Sequence, residues 1–169
     1  MSFTTAVSSA VQAGTRVFPY GGQEDAAASF AREKGARLAV ARHAVTAVVP
    51  RSLSPGHLRA APVVPRLVLP SANGAAVAAA APADLSVVAA CLRNLTAVGS
   101  RLTAQGYGTA HRSVAVIAAG EQWPDGTLRP ALEDLLGDAL SSPTCPPRER
   151  AHCPWRLPPP RHAAHAPLT

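Results

Sequence analysis

Carboxylate side chains are concentrated in one short stretch of the chain, at Glu121, Asp125, Glu133 and Asp134. The stretch follows the apolar run Val114 to Ala119, whose β-branched residues predict a strand buried on both faces of a parallel sheet, ended by Gly120. Ligands of open α/β sheets bind beyond the carboxyl ends of the strands, so we expect Glu121 and Asp125 on the catalytic side. Carboxylate oxygens suit a hard cation such as Mg²⁺, and the four residues are therefore candidates for metal binding or general acid/base chemistry.

A purely structural interpretation of the same carboxylates stays open. Pro130 suits the first turn of a helix, predicted over Arg129 to Leu140, and Glu133 and Asp134 fall near its start. There they would favour the positive end of the helix dipole without binding any ligand. Glu121 and Asp125 would then be solvated loop charges.

An anion site is predicted where the chain leaves another short strand, Leu67 to Leu69. The tetrapeptide Ser71-Ala72-Asn73-Gly74 follows this strand and opens a helix over Ala75 to Ala81. Backbone N–H groups at such a turn, together with the Asn73 side chain, are suited to holding an anion. The alternative is an ordinary helix cap with a turn glycine at Gly74.

Three further side chains are candidates for binding a phosphate or sulfonate group. Arg93 and Asn94 directly follow the predicted strand Leu85 to Leu92, which is an equivalent strand-end position. Arginine binds such oxygens as a bidentate donor. Arg129, in the acidic stretch, would do the same or would pair with a nearby carboxylate. Surface solvation is the alternative for Arg93 and Asn94.

Composition narrows the function classes. The 169 residues suffice for about one domain, and the net charge of +6 includes a C-terminal excess of four arginines over one glutamate after Ser142. The rest lacks a basic stripe with interleaved aromatics, so we expect no nucleic-acid partner. No membrane-spanning run, P-loop, G-x-G-x-x-G motif or nucleophile elbow occurs. The scattered cysteines favour a reducing, cytoplasmic setting and do not form a zinc-binding pattern.

The order of elements predicts an α/β fold with a mostly parallel sheet. Strands alternate with single helices, which favours a sheet covered on both faces. Further strands are predicted at Thr15–Tyr20 and Ala36–Ala41; further helices at Ser2–Ala13, Gln23–Lys34 and Asn94–Gln105; and a long surface loop at His43–Pro65. The domain extends over residues 1–142. Residues 143–169 are rich in proline, arginine and histidine, without apolar periodicity, and are expected to form a disordered tail.

Four segments together resemble one protein family, the 2-phosphosulfolactate phosphatases. They are LSPGHL at 53–58, RLVLPSANG at 66–74, CLRNLTAV at 91–98 and AAGEQWPDGTLRPALEDLLG at 118–137. The resemblance spans residues 2–137 and implies a three-layer α/β/α fold. It also implies Mg²⁺-dependent hydrolysis of 2-phospho-3-sulfolactate to sulfolactate and phosphate, in coenzyme M biosynthesis. Glu133 and Asp134 would hold the metal, while Asn73, Asn94 and arginine side chains position the substrate.

The sequence departs from the family pattern at both ends. Members of the family that the chain resembles have a strand that ends in aspartate just upstream of the position of Ser2. They carry an arginine at the position of Ser2, and they continue beyond the position of Leu140. We therefore expect an incomplete sheet. The alternative function is a catalytically inactive remnant that binds an acidic metabolite. The expected partner in either case is a small phosphorylated or acidic molecule. No membrane partner is expected, and a homo-oligomer is left open.

Overall fold

A computed structural model describes residues 2–22, 24–109, 111–123, 125–131 and 134. The helices are α1 (Ser2–Gln12), α2 (Glu24–Glu33), α3 (Pro55–Ala60), α4 (Gly74–Ala80) and α5 (Leu95–Ala104); the strands are β1 (Arg16–Tyr20), β2 (Arg37–Leu38), β3 (Arg66–Pro70), β4 (Glu121–Gln122) and β5 (Leu128–Arg129). The predicted tail at 143–169 and all of the predicted helix beyond Asp134 lie outside the described residues. Within the described part, no helix combines the length and apolarity needed to cross a bilayer.

Three strands form a parallel sheet in the order β1-β3-β2. β1 pairs with β3 along its whole length, from Arg16 opposite Arg66 to Tyr20 opposite Pro70, and Leu38 of β2 pairs with Val68. Since all three strands run the same way, their carboxyl ends meet at one edge of the sheet. This arrangement confirms the predicted α/β class with a parallel sheet.

Helices pack on both faces of this sheet. Leu67 and Leu69 of β3 are buried against Phe3, Ala6 and Ala10 of α1. Val68, which alternates with them and is also fully buried, points to the opposite face, where α2 packs on β2 and β3. The small alanine side chains let α1 approach the sheet closely. The layers are therefore helix, sheet and helix, as expected.

Two predicted strands are wrong. Leu85–Leu92 and Val114–Ala119 join neither sheet, and apolar side chains in them are exposed, such as Ile117 at 66% and Val87 at 55%. The apolar pattern was typical of a buried strand, but a strand also needs a neighbour to satisfy its backbone groups. The three-stranded sheet provides no such neighbour for either segment.

Two predicted loops contain more structure than expected. The segment His43–Pro65 includes α3, which packs on α1, and a parallel bridge between Val40 and Ser52 beside the end of β2. The acidic stretch after Gly120 is an antiparallel hairpin, in which Glu121 lies opposite Arg129. A Pro55 at the first turn of α3 explains how this helix begins within a proline-rich stretch.

Candidate functional site

The loop Ser71–Gly74 lies at the carboxyl end of the sheet, between β1 and α1. The Ser71 N–H donates to the Tyr20 carbonyl at 3.0 Å, which ties the loop to the end of β1. Gly74 lies against Phe3, since a Cβ added to Gly74 would come within 2.5 Å of the Phe3 ring. The glycine is therefore required here by close packing of the loop on the first turn of α1.

Asn73 and Asp134 are linked through the backbone of Gly120. The Asn73 Nδ2 donates to the Gly120 carbonyl at 3.4 Å, and the Gly120 N–H donates to Asp134 Oδ2 at 2.9 Å. Asn73 follows β3, while Gly120 precedes β4 and Asp134 follows β5. The structure thus brings together one residue of the predicted anion loop and one predicted carboxylate.

Gly120 can make this link because it has no side chain. Its φ of +61° lies in the left-handed region, and an added Cβ would meet Leu128 Cδ1 at 2.9 Å and the Arg129 carbonyl at 3.0 Å. Gly120 is buried beneath the hairpin, which fixes the direction of both its N–H and its carbonyl group. From the sequence alone, Gly120 was expected only to end a strand.

The second polar atom of Asn73 is buried without a partner. Its Oδ1 is inaccessible to solvent and forms no hydrogen bond with any described residue. The orientation of the amide is fixed by the Gly120 carbonyl, which accepts from the nitrogen and so leaves the oxygen on the other side. A buried acceptor without a donor costs about 1–3 kcal/mol, a cost that a donor or a cation at this point would relieve.

The carboxylates of the hairpin have partners within the hairpin itself. Glu121 forms an ion pair with Arg129, whose guanidinium also lies 5.3 Å from the centre of the Trp123 ring. Asp125 accepts hydrogen bonds from the hydroxyl and the backbone N–H of Thr127, and these bonds lower the pKa of its exposed carboxyl group below 3.8. Arg129 thus pairs with a nearby carboxylate, which was one of the two interpretations open for it. Glu133 lies outside the described residues.

Arg93 and Asn94 both form hydrogen bonds with other parts of the protein. Asn94 accepts from the Cys91 N–H at 2.8 Å and donates to the Ala89 carbonyl at 2.9 Å, which closes the turn before α5. Arg93 donates to Gln12 in the last turn of α1, whereas the loop at Gly74 packs on Phe3 in the first turn. At 1.5 Å per residue, these two contacts are separated by about 13 Å along α1. The structure therefore does not bring Arg93 to the Asn73–Asp134 link.

Comparison of the chain with protein-family models, curated proteins and solved structures gives no match. The family resemblance of the four segments stays a prediction. A metal centre made of three or more His, Cys, Asp or Glu side chains is also not found among the described residues. The candidate site is thus defined by geometry alone, as the Asn73–Gly120–Asp134 link beside the loop Ser71–Gly74.

One polar pair that the sequence analysis did not single out lies near the same edge of the sheet. Ser52 is fully buried, and its hydroxyl is 2.9 Å from His57 Nδ1 and accepts from the Ser54 N–H at 3.0 Å. Ser52 bridges Val40, and Val40 is two residues beyond Leu38, which pairs with Val68; Ser52 is therefore level with the end of β3. The sequence signal for this pair was the close spacing of Ser52 and Ser54 to Pro55 and His57.

Proposed function

We propose that the chain is a Mg²⁺-dependent phosphate monoester hydrolase with its site at the Asn73–Gly120–Asp134 link. The observation that carries the proposal is the hydrogen-bonded connection of Asn73 with Asp134 at the carboxyl end of the sheet. This is the end at which open α/β sheets bind ligands. The two residues come from segments that resemble the 2-phosphosulfolactate phosphatases, so the proposed substrate is 2-phospho-3-sulfolactate.

The chemistry of the available oxygen atoms fits a hard cation. Asp134 contributes a half-buried carboxylate, and Asn73 contributes the buried amide oxygen that has no other partner. Mg²⁺ takes one or two such protein oxygens, and keeps water or phosphate oxygens in its other positions. Asp134 and Asn73 would hold the ion, with Glu133 as a further ligand implied by the resemblance. Bound there, the ion would neutralise phosphate charge and acidify a water molecule.

The chain itself would orient the substrate. The half-buried Ser71 side chain and the Asn73 amide belong to one rigid loop, held by β1 on one side and by α1 on the other. Groups fixed in this way lose little freedom when they bind a phosphate group, and such positioning lowers the barrier to attack. Gly120 connects this loop to Asp134, because its carbonyl accepts from Asn73 and its N–H donates to Asp134 Oδ2.

The experiment measures phosphate release from 2-phospho-3-sulfolactate and from an aryl phosphate, with and without Mg²⁺. We expect Mg²⁺-dependent turnover, reduced at least about 100-fold in Asp134→Asn and in Asn73→Ala. Asp84→Asn is the matched control, since Asp84 is an exposed carboxylate in a different loop. Hydrolysis that does not need Mg²⁺, or an Asp134→Asn variant as active as Asp84→Asn, would contradict the proposal.

A second candidate function is binding of an acidic metabolite without turnover. The observation in its favour is that the described carboxylates of the predicted site each have a partner in the chain: Glu121 with Arg129, Asp125 with Thr127 and Asp134 with Gly120. Calorimetry would then detect binding of sulfolactate or its phosphate ester with no phosphate released. Loss of that binding in Asn73→Ala, but not in Asp84→Asn, would assign it to the same site.

A further inference from the structure

Basic side chains collect at the opposite edge of the sheet, where the strands begin. We call Arg16, Lys34, Arg37 and Arg66 the amino-end cluster. Arg16, Arg37 and Arg66 begin the three strands of the sheet, and Lys34 follows α2. The three arginines are exposed. The cluster therefore places four basic residues at a single edge, with Arg16 and Arg66 on one face of the sheet and Arg37, which pairs with Leu67, on the other.

Two of these arginines are direct neighbours. Arg16 of β1 pairs in register with Arg66 of β3, and residues in register on parallel strands point to the same face. Their backbones are about 4.8 Å apart, and like charges directly opposite each other destabilise a sheet. No described carboxylate forms an ion pair with Arg16, Arg37 or Arg66; Glu33 pairs with Lys34 at 2.6 Å. Among the described residues, the three arginines are thus a concentration of positive charge without a paired carboxylate.

The three arginines differ in the contacts that their side chains make with the rest of the protein. Arg66 Nη1 donates to the Lys34 carbonyl at 3.0 Å, just beyond the end of α2. Arg16 lies over the Phe18 ring at 5.2 Å. Arg37 forms no hydrogen bond or ion pair with a described residue. Most of the donor groups of the cluster are therefore available to a ligand.

An open depression of about 530 Å³ lies beside Arg37 and Arg66, the two members of the cluster that line it. Its walls combine charge with apolar surface and are formed by Gly35, Ala36, Arg37, Val64, Pro65 and Arg66. Arginine is suited to this position because its planar group binds phosphate oxygens in pairs. The apolar surface at Val64 and Pro65 would contact an uncharged part of the same ligand.

We propose that the amino-end cluster is a binding site for a small polyphosphorylated anion. Arg37 and Arg66 begin neighbouring strands and both line the depression, so a ligand there would lie between them. Neighbouring strands are about 4.8 Å apart, a span that suits a chain of two or three phosphoryl groups. It is short for a nucleic-acid strand, and the cluster lacks the exposed aromatic platform on which bases stack, since Phe18 is covered by Arg16. The site is separate from the Asn73–Asp134 link, which lies at the other end of the strands.

Binding of inorganic tripolyphosphate to the full chain, followed by calorimetry at low ionic strength without divalent ions, tests the proposal. We expect saturable binding, weakened at least about tenfold in Arg37→Gln. Arg66 is left in place because it also binds the Lys34 carbonyl. The matched control is Arg59→Gln, which removes the same charge from an exposed helix position and should change the affinity less than twofold.

The outcomes separate the alternatives. Equal weakening in Arg37→Gln and Arg59→Gln would show general electrostatic attraction and overturn the proposal. Equal binding of sulfate at the same ionic strength would mean an adventitious ion only. Tighter binding of a single-stranded oligonucleotide than of ATP or tripolyphosphate would reassign the cluster to nucleic acid. Asn73→Ala should bind tripolyphosphate as the wild type does; loss of binding in that variant would place the ligand at the carboxyl end and overturn the proposal.

Discussion

Asn73 and Asp134 bind the same glycine, one at its carbonyl group and the other at its N–H. They lie in segments that are far apart in the sequence. Glycine is the only residue type that fits at position 120, between them, without a clash. The relative position of the two side chains therefore depends on one backbone conformation. Each end of this link can be changed separately.

Gly120→Ala should destabilise the fold more than the same change at another glycine with a positive φ. Gly106 is the control, since its φ is +74° and no described atom lies within 4 Å of its added Cβ. Both variants incur the conformational cost of about 1–3 kcal/mol, but only Gly120→Ala also pushes on Leu128 and the Arg129 carbonyl. Urea unfolding measures the difference. Equal losses in the two variants would show that the hairpin yields without cost.

Asn73→Ala should leave the free energy of unfolding within about 1 kcal/mol of the wild type. The substitution removes a long hydrogen bond to Gly120 but also removes the buried oxygen that lacks a partner, and these effects oppose each other. The same variant should lose any thermal stabilisation by Mg²⁺ plus inorganic phosphate. Thermal unfolding with and without these ions checks both parts. A strongly destabilised variant would mean that Asn73 has a mainly structural role.

Asp125 should titrate at a lower pH than an ordinary aspartate, because the Thr127 hydroxyl and N–H stabilise its charged form. A folded-state pKa below the unfolded value contributes stability that is present above the unfolded value, near 3.8, and is lost as the pH falls through the folded-state pKa. Thr127→Val removes the hydroxyl bond and should raise this pKa. An NMR titration of the Asp125 carboxyl group measures it. An unchanged pKa in Thr127→Val would show that the hydroxyl bond does not persist in solution.

Ser52→Ala should cost about 1–3 kcal/mol of unfolding free energy, since it leaves His57 Nδ1 and the Ser54 N–H without their partner. Ser54→Ala is the matched control. Ser54 immediately precedes α3, but its side chain makes no capping hydrogen bond, so the expected change is within about 0.5 kcal/mol. Chemical denaturation compares the two. A Ser54→Ala variant that loses as much stability as Ser52→Ala would contradict this assignment.

The elements that could be predicted from the sequence are those with local signals. Gly14 and Gly35, both with positive φ, end α1 and α2 close to where the pattern placed those ends, and β1 and β3 occupy their predicted positions. The segments Leu85–Leu92 and Val114–Ala119 were wrongly predicted as strands. An apolar run indicates a preference for burial, but it does not show whether a neighbouring strand is available for pairing. For the same reason the link through Gly120 was not foreseeable. It depends on a loop conformation and on long-range contacts.

The candidate site was predictable in residue type and only partly in geometry. Asn73 and Asp134 were both singled out by their positions after predicted strands or near a helix start, and the structure connects them. Glu121 and Arg129 were also singled out, but their cross-strand pairing depends on a hairpin that the sequence analysis did not predict. Arg93 followed a strand that does not form, so the argument from strand ends did not apply to it.

The hydrogen-bonding pattern of β1 has a consequence for association between molecules. The Arg16 N–H donates to the Pro65 carbonyl in the segment leading into β3. Backbone hydrogen-bonding groups alternate in direction along a strand, so those of Phe18 and Tyr20 also point to β3, and those of Val17 and Pro19 point to the open edge. Proline carries no N–H, so a strand from another molecule that paired with this edge would lack one hydrogen bond at its centre. Intermolecular β-sheet growth, the first step towards fibrils, is thereby discouraged at β1. The exposed valines of Leu85–Leu92 have no such protection.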